Sequence, residues 1–318
     1  MNLSYRKKLA VIAAVMALLA AGAVVITAVT GARRKEEKKI NIVASFMPVY
    51  TAALQLTKGV DGADVSVLAP TKTGCLHDYQ LTPDNMVALS KADVLVINGA
   101  GAESFLSDAL ANYPDLSVID TSKGVALIES GSPHEHDELH EDEHSHNEHI
   151  WVSPSNHIRQ VQNLRDGLIR YNPENKEKYQ SNADEYISKI QSVKSELERA
   201  VLTLPTRNCI LFHDSLAYFA REFGLHPLAS FSIGEETALS AAQLADAAQA
   251  AEKAGSVLLL YDSQYEAEYS SVAEKASYSL TLKLDTAVIG ESEDAKDSWL
   301  NAMNKNLRMI KDAANPSK

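Results

Sequence analysis

The segment NPENKEKYQSNADEYISKIQSVKSELERAVLTLP, Asn172–Pro205, decides the fold. Asn172-Pro173 offers a helix cap followed by a first-turn proline, and Leu204-Pro205 ends the stretch. Between them Tyr179, Ala183, Tyr186, Ile190, Val193, Leu197 and Val201 recur at steps of three or four, the spacing of one amphipathic helix. A helix of about thirty residues is about 45 Å long at the standard rise. A coiled-coil arm would carry the same narrow seam and is the alternative. On the amino-terminal side, β-type runs at Ile40–Ala44, Val65–Leu68, Val94–Ile97 and Leu116–Ile119 alternate with helical stretches at Val49–Lys58 and Pro83–Lys91. On the carboxy-terminal side the alternation resumes with Asn208–Phe212, His226–Phe231, Val257–Tyr261 and Leu280–Leu284. Strands alternating with helices predict a mostly parallel sheet covered on both faces. The two halves also echo each other, since Ser90-Lys91-Ala92-Asp93 and Glu252-Lys253-Ala254-Gly255 each run from a helix end into an apolar strand. The expected fold is α/β, with two similar lobes, each a mostly parallel sheet with flanking helices, joined by one long rigid helix. The expected boundaries are 40–171 for the first lobe, 172–205 for the linking helix and 206–318 for the second lobe. Ligands of paired α/β lobes bind between them, outside the strand ends.

Residues 1–39 read as an export signal or membrane anchor. Arg6-Lys7-Lys8 precedes an uncharged stretch from Leu9 to Val29, and Thr30-Gly31-Ala32 leads into Arg33-Arg34-Lys35. About 20 apolar residues suffice for a span, and the small residues before the second basic cluster suit cleavage. Either outcome puts the body outside the cytoplasmic membrane, anchored or secreted. The first 39 residues hold eight Lys or Arg against two Glu, so the remainder carries 22 basic and 40 acidic residues, a formal charge of −18. Such an acidic body argues against nucleic acid and favours cations. Only Cys75 and Cys209 occur, neither placed to accept a lipid anchor, and their pairing is not legible in sequence.

The densest chemical signal is the run from His134 through His136, His140, His144 and His146 to His149, which places six of the ten histidines among carboxylates before the apolar Ile150-Trp151-Val152. Neutral imidazole is the usual nitrogen ligand of zinc, and the carboxylates attract an arriving cation. A run this polar cannot bury enough surface to fold alone, so it reads as a loop that gathers metal without imposing one geometry. Three histidines share another context, each standing where an apolar run meets a loop: His77, His149 and His213. Singly, each is ordinarily a satisfied core or surface histidine; together, beside the histidine-rich run, they are read as ligands. Asp285, ending the strand Leu280–Leu284, is a candidate fourth ligand.

Several segments in order resemble the extracytoplasmic metal-binding receptors of zinc and manganese ABC transporters, the cluster A-I solute-binding proteins. They are Pro48-Val49-Tyr50, His77-Asp78-Tyr79 with Thr82-Pro83, Lys91 to Glu103, His149-Ile150-Trp151, His213-Asp214-Ser215-Leu216-Ala217-Tyr218 with Phe223-Gly224-Leu225, and Leu284-Asp285. The resemblance implies two α/β lobes joined by a long helix, a metal between them, and ligand roles for His77 and His149 from the first lobe and His213 and Asp285 from the second. It also implies delivery to an ABC permease with its cytoplasmic ATPase, by a monomer that is no enzyme. Two departures stand out. The family's usual His-Ile-Trp-Leu-Asp-Pro is here His149-Ile150-Trp151-Val152-Ser153-Pro154, and its usual Asp-Pro is Asp285-Thr286.

Three imidazoles and one carboxylate suit tetrahedral zinc, whereas manganese prefers more oxygen and higher coordination, so Zn2+ is the expected cargo before Mn2+. His134, His136, His140, His144 and His146 are then accessory ligands. A surface adhesin or zinc buffer is the alternative function. A zinc hydrolase is a further one, which needs an open fourth position and a general base.

Overall fold

Ile40–Ala44 (β1) pairs in parallel with Ala63–Val67 (β2) on one side and Val94–Ile97 (β3) on the other, and Ser117–Asp120 (β4) completes a sheet of order β2-β1-β3-β4. In the computed structural model of the chain the described residues are Lys7, Ala10, Val15, Met16, 39–73, 76, 79–129, 146–231, 240–265, 278–290 and 292–314. The second sheet is built from Asn208–Leu211 (β7), His226–Ser230 (β8), Leu258–Asp262 (β9) and Leu280–Leu284 (β10), in the order β10-β9-β7-β8 and again all parallel. Counted within each lobe, both sheets run second, first, third, fourth strand. The sequence echo therefore marks equivalent places, because each Lys-Ala segment leads into the third strand of its sheet. Ile128–Glu129 (β5) and His146–Asn147 (β6) form a separate two-stranded antiparallel ladder.

Helices cover the sheets where the sequence supplies start signals. Met47–Leu56 (α1) takes Pro48 in its first turn, and Pro83–Lys91 (α2) starts in a capping box between Thr82 and Asn85. Ser107–Leu110 (α3) is a single turn. Pro154–Tyr171 (α4) is capped by Ser153, whose hydroxyl accepts from the Asn156 N–H. Asn172 caps a 3-10 turn at Pro173–Asn175, after which Lys176–Val201 (α5) runs as one 26-residue helix. The long helix is thus shorter than the predicted thirty residues, because its first turn winds as 3-10. Ala217–Glu222 (α6), Ala241–Ala254 (α7) and Ser298–Ala314 (α8) serve the second lobe.

All seven apolar positions of the α5 seam are buried. They pack against α4, α8 and α1, so the helix is a spine within the body and no projecting arm. One core cluster joins Val94 and Val96 of the first sheet, Tyr186 and Ile190 of the spine, and Leu258 and Leu260 of the second sheet. Each such side chain is worth about 1.5–3 kcal/mol of burial, so separating the lobes along this seam is costly. Further links fasten them. Thr51 on α1 donates to the Ala295 carbonyl at 2.8 Å, Gln55 to that of Lys296 at 2.7 Å, and Gly290 N–H to that of Thr71 at 2.9 Å. A Cβ at Gly290 would meet the Met47 methyl and the Ser298 hydroxyl, so a larger residue there requires those side chains to turn aside.

Residues 1–39 cluster as a separate unit, of which the described Lys7, Ala10, Val15 and Met16 are helical and exposed. Among the described residues no helix is long and apolar enough to cross a membrane, and the apolar stretch from Leu9 to Val29 lies mostly outside them.

Candidate metal centre

His213 sits two residues beyond the carboxyl end of β7, where the chain continues to β8 on one side of the sheet and the neighbouring β9 continues to β10 on the other. Such crevices at strand carboxyl ends are where open α/β sheets bind ligands. His149 reaches the same place from the other lobe, two residues beyond β6. Both are 1% exposed, which places two imidazoles in a nearly dry interior. Their rings meet edge to face with centroids 5.5 Å apart. With Asp214 they offer three ligand atoms within 4.8 Å of one another. Around tetrahedral zinc two nitrogens stand about 3.3 Å apart, given Zn–N bonds of about 2.05 Å, so an ion would need only a small inward turn of these groups.

The rings are held by specific neighbours. His149 places Nδ1 3.0 Å from the Asn147 side-chain oxygen, which also accepts the His149 backbone N–H at 2.9 Å. That leaves Nε2 as the metal-facing nitrogen. His213 stacks on Tyr265, with ring centroids 4.6 Å apart and planes 8° from parallel. Its Nδ1 accepts the Ser215 backbone N–H at 2.9 Å and lies 3.3 Å from Asp214 Oδ1. Beneath them Asp262, at the end of β9 and fully buried, accepts from Ser215 Oγ at 3.1 Å, Thr286 Oγ1 at 2.9 Å and Gln264 Nε2 at 2.9 Å. Burial pushes its carboxyl up to about 6, opposed by those hydrogen bonds.

On the first-lobe side Glu103 is buried at the carboxyl ends of β1 and β3, accepting from Ser45 Oγ at 2.6 Å and from the Asn98 and Gly99 N–H groups at 2.7 and 3.0 Å. Burial raises its carboxyl to about 7. Asn98, fixed in this way and by Gln160 at 2.8 Å, donates to the Glu148 carbonyl at 3.0 Å and so holds the residue before His149.

Of the residues read as ligands from sequence, His149 and His213 are brought together. His77 lies outside the described residues, as do His134, His136, His140 and His144. Of the described residues beside it in sequence, Leu76 is buried, and the Tyr79 hydroxyl donates to Asn85 Oδ1 at 2.9 Å. His146 is exposed in β6, where it pairs with Glu129. Asp285 stands outside the group of three. Its Oδ1 accepts the Ala287 N–H at 3.0 Å and its Oδ2 the Lys305 ammonium at 3.1 Å. The turn it occupies is nonetheless fastened to His149's segment, because Trp151 donates from Nε1 to the Thr286 carbonyl at 2.8 Å, while the Trp151 carbonyl accepts from Trp299 at 2.9 Å. Asp214 is a carboxylate whose only signal in the sequence is its adjacency to His213. His157 is no ligand but a core histidine, stacked on Trp299. Cys209 is a free, buried thiol, and burial pushes it up to about 12, so it is inert.

With this geometry in view, comparisons with known proteins agree on one group. The family model for the periplasmic zinc-uptake complex component A matches residues 42–313. The high-affinity zinc uptake system protein ZnuA of Bacillus subtilis (strain 168) is 29% identical over 296 residues, covering 89% of this chain and 90% of that protein. The zinc-binding lipoprotein AdcA of Streptococcus pneumoniae (strain ATCC BAA-255 / R6) is 24% identical over 286 residues, and the match spans only 56% of its length. A zinc-bound ZnuA deletion mutant superposes with a TM-score of 0.70 at 25% identity, over 87% of this chain and 98% of the other. The nickel complex of the solute-binding protein FpvC from Pseudomonas aeruginosa reaches 0.71 at 21% identity over 88% of this chain and 98% of the other, a likeness of fold alone.

Proposed function

Because the chain belongs to the family of periplasmic zinc-uptake complex component A proteins, we propose that it is an extracytoplasmic receptor that captures Zn2+ and delivers it to an ABC permease driven by a cytoplasmic ATPase. The observation that carries this reading is the meeting of His149 and His213, one from each lobe, with a carboxylate inside 4.8 Å. His77, His149 and His213 are the proposed nitrogen ligands. Asp285 is the proposed fourth ligand and reaches the ion once Lys305 releases it; Asp214 is the competing carboxylate. Four protein ligands close the coordination shell, which suits a carrier and leaves no position for the reactive water of a hydrolase. Nitrogen-rich ligation favours zinc over manganese. His134, His136, His140, His144 and His146 act as an accessory collector whose chain enters the site within three residues of His146. Since imidazoles must be neutral to coordinate, protons compete with the ion and affinity falls on acidification.

The test is a competitive zinc and manganese titration of the protein lacking residues 134–145, which spares the β5–β6 ladder. One tight zinc site, lost in His213→Ala, is expected. Absence of any tight site without the loop would overturn the interlobe reading.

A further inference from the structure

Two histidines from different lobes can serve one ion only if something holds them in register, and the described residues place one amide at that junction. Asn147 is 2% exposed and lies in β6, two residues before His149. Its side-chain amine donates to the Asp214 carbonyl at 2.9 Å, across to the turn that carries His213. That contact fixes the amide's orientation, because a carbonyl can only accept. The amide oxygen must therefore face His149, where it takes the backbone N–H at 2.9 Å and meets Nδ1 at 3.0 Å. An amide oxygen also only accepts, so Nδ1 carries the proton and the lone pair is left on Nε2. The Asn147 backbone carbonyl accepts from the Tyr218 hydroxyl on α6 at 2.6 Å, and the same hydroxyl accepts the Ile128 N–H of β5 at 3.0 Å. One residue thus orients a ring of the first lobe, grips the His213 turn of the second, and is itself clamped from α6.

We infer that Asn147 is a positioning residue of the metal centre, setting the tautomer of His149 and locking it to the His213 turn so that both rings address one cation. This rests on the receptor reading above. Residues that orient metal-bound histidines typically contribute 10–100-fold to affinity, and Asn147 does so on both sides of the cleft. Its sequence position, between the histidine-rich run and the ligand it orients, also makes it the last anchor before the site.

The experiment uses the full chain loaded with one equivalent of Co2+, whose visible absorption reports the ligand set, together with Zn2+ affinity from chelator competition and stability from urea unfolding. Asn147→Ala removes both side-chain contacts; it is expected to weaken zinc about 10–100-fold and to alter the cobalt spectrum. Asn147→Asp keeps an acceptor for His149 Nδ1 but loses the donor to Asp214, so it is expected to restore the wild-type spectrum with intermediate affinity. Tyr218→Phe removes only the clamp and is expected to lower stability with the spectrum unchanged. An Ala variant with wild-type spectrum and affinity would overturn the inference, as would an Asp variant whose spectrum is as altered as that of Ala. If Ala does not fold, the Asp spectrum decides alone, a wild-type form supporting the inference and an altered form refuting it. Failure of the wild-type chain to show one tight site would instead refute the receptor reading.

Discussion

His157 offers a perturbation whose size follows from its surroundings. The ring is 1% exposed, stacks on Trp299 with centroids 4.4 Å apart, and has Nε2 3.0 Å from the Tyr186 hydroxyl. Burial drives its pKa down to about 3 from the ordinary 6.5. The unfolded chain therefore binds a proton below pH 6.5 that the folded chain refuses until about pH 3. In that window each pH unit costs the folded state 1.36 kcal/mol, or about 2 kcal/mol by pH 5. Glu103 and Asp262 act in the opposite sense. Their carboxyls, raised to about 7 and about 6, keep a proton in the folded state where the unfolded chain has lost it, so acidification from pH 7 to 5 favours the fold through them. Wild-type stability measured alone mixes these contributions, but comparison with His157→Gln isolates the histidine. Urea unfolding of both metal-free proteins from pH 7.5 to 5 should give a stability difference that is constant above pH 7 and then moves against wild type, by about 2 kcal/mol at pH 5. Parallel pH curves would refute the assignment of His157 as a neutral core group.

Three further outcomes follow from single contacts. Trp151→Phe leaves the buried Thr286 carbonyl without its 2.8 Å donor, which should lower the urea-derived stability by about 1–3 kcal/mol and weaken zinc binding together with it; zinc affinity untouched by the loss would break the link between this clasp and the site. Lys305→Ala, at a side chain 57% exposed, frees Asp285 and should tighten zinc by up to about fivefold, since exposed ion pairs are worth about 0.2–1 kcal/mol; Asp285→Asn should abolish that gain in a titration of the double variant. Ser153→Asp, which restores the residue usual in related receptors, would set a second carboxylate against Glu222, now 2.5 Å from Ser153 Oγ. It should destabilise by about 1–3 kcal/mol with recovery in a Glu222→Gln background, and a double-variant cycle showing no coupling would refute the contact.

The architecture was legible because it is written in periodicities. The strands Ile40–Ala44, Val94–Ile97 and Leu280–Leu284 lie where the apolar runs put them, and α2 spans Pro83–Lys91 because its cap is made by Thr82 and Asn85 in the sequence itself. Pro48 is accommodated inside the first turn of α1, so that helix begins at Met47, ahead of the predicted Val49. The 18-residue helix α4 is not legible in the sequence: its buried face includes His157, Gln160 and Gly167, which carry no hydrophobic signal, and its start at Ser153-Pro154 merges with the histidine motif. The site divides in the same way. His149 and His213 were marked by apolar runs meeting loops, but Asn147 lay hidden in a charged run and Asp262 looked like an ordinary strand end. Their roles come from partners more than forty residues distant, Asp214 for the first and Ser215 for the second, which no local pattern encodes.

A receptor of this kind must hold its cargo and then surrender it, and the lobes are joined in a way that leaves little room for wide opening. The spine, the Trp151–Trp299 clasp and the Gly290 approach to Thr71 all resist it. The proposed ligands instead have protein partners at hand. Nδ1 of His213 accepts the Ser215 N–H, and Asp285 accepts Lys305 and the Ala287 N–H. Coordination through His213 Nε2 requires a proton on Nδ1, which displaces the Ser215 N–H and brings Asp214 Oδ1, 3.3 Å away, into use as its acceptor. Loading therefore exchanges protein contacts for metal bonds, and release restores them. With a hydrogen bond worth about 1 kcal/mol net and an exposed ion pair less, the exchange offsets about 1–2 kcal/mol of the metal's binding, or about five- to thirtyfold in affinity. At His149 the Nδ1 contact to Asn147 is one that coordination through Nε2 keeps. On this reasoning the Asn147 contact to His149 persists through loading and release, while the proposed ligands His213 and Asp285 trade protein contacts for the ion.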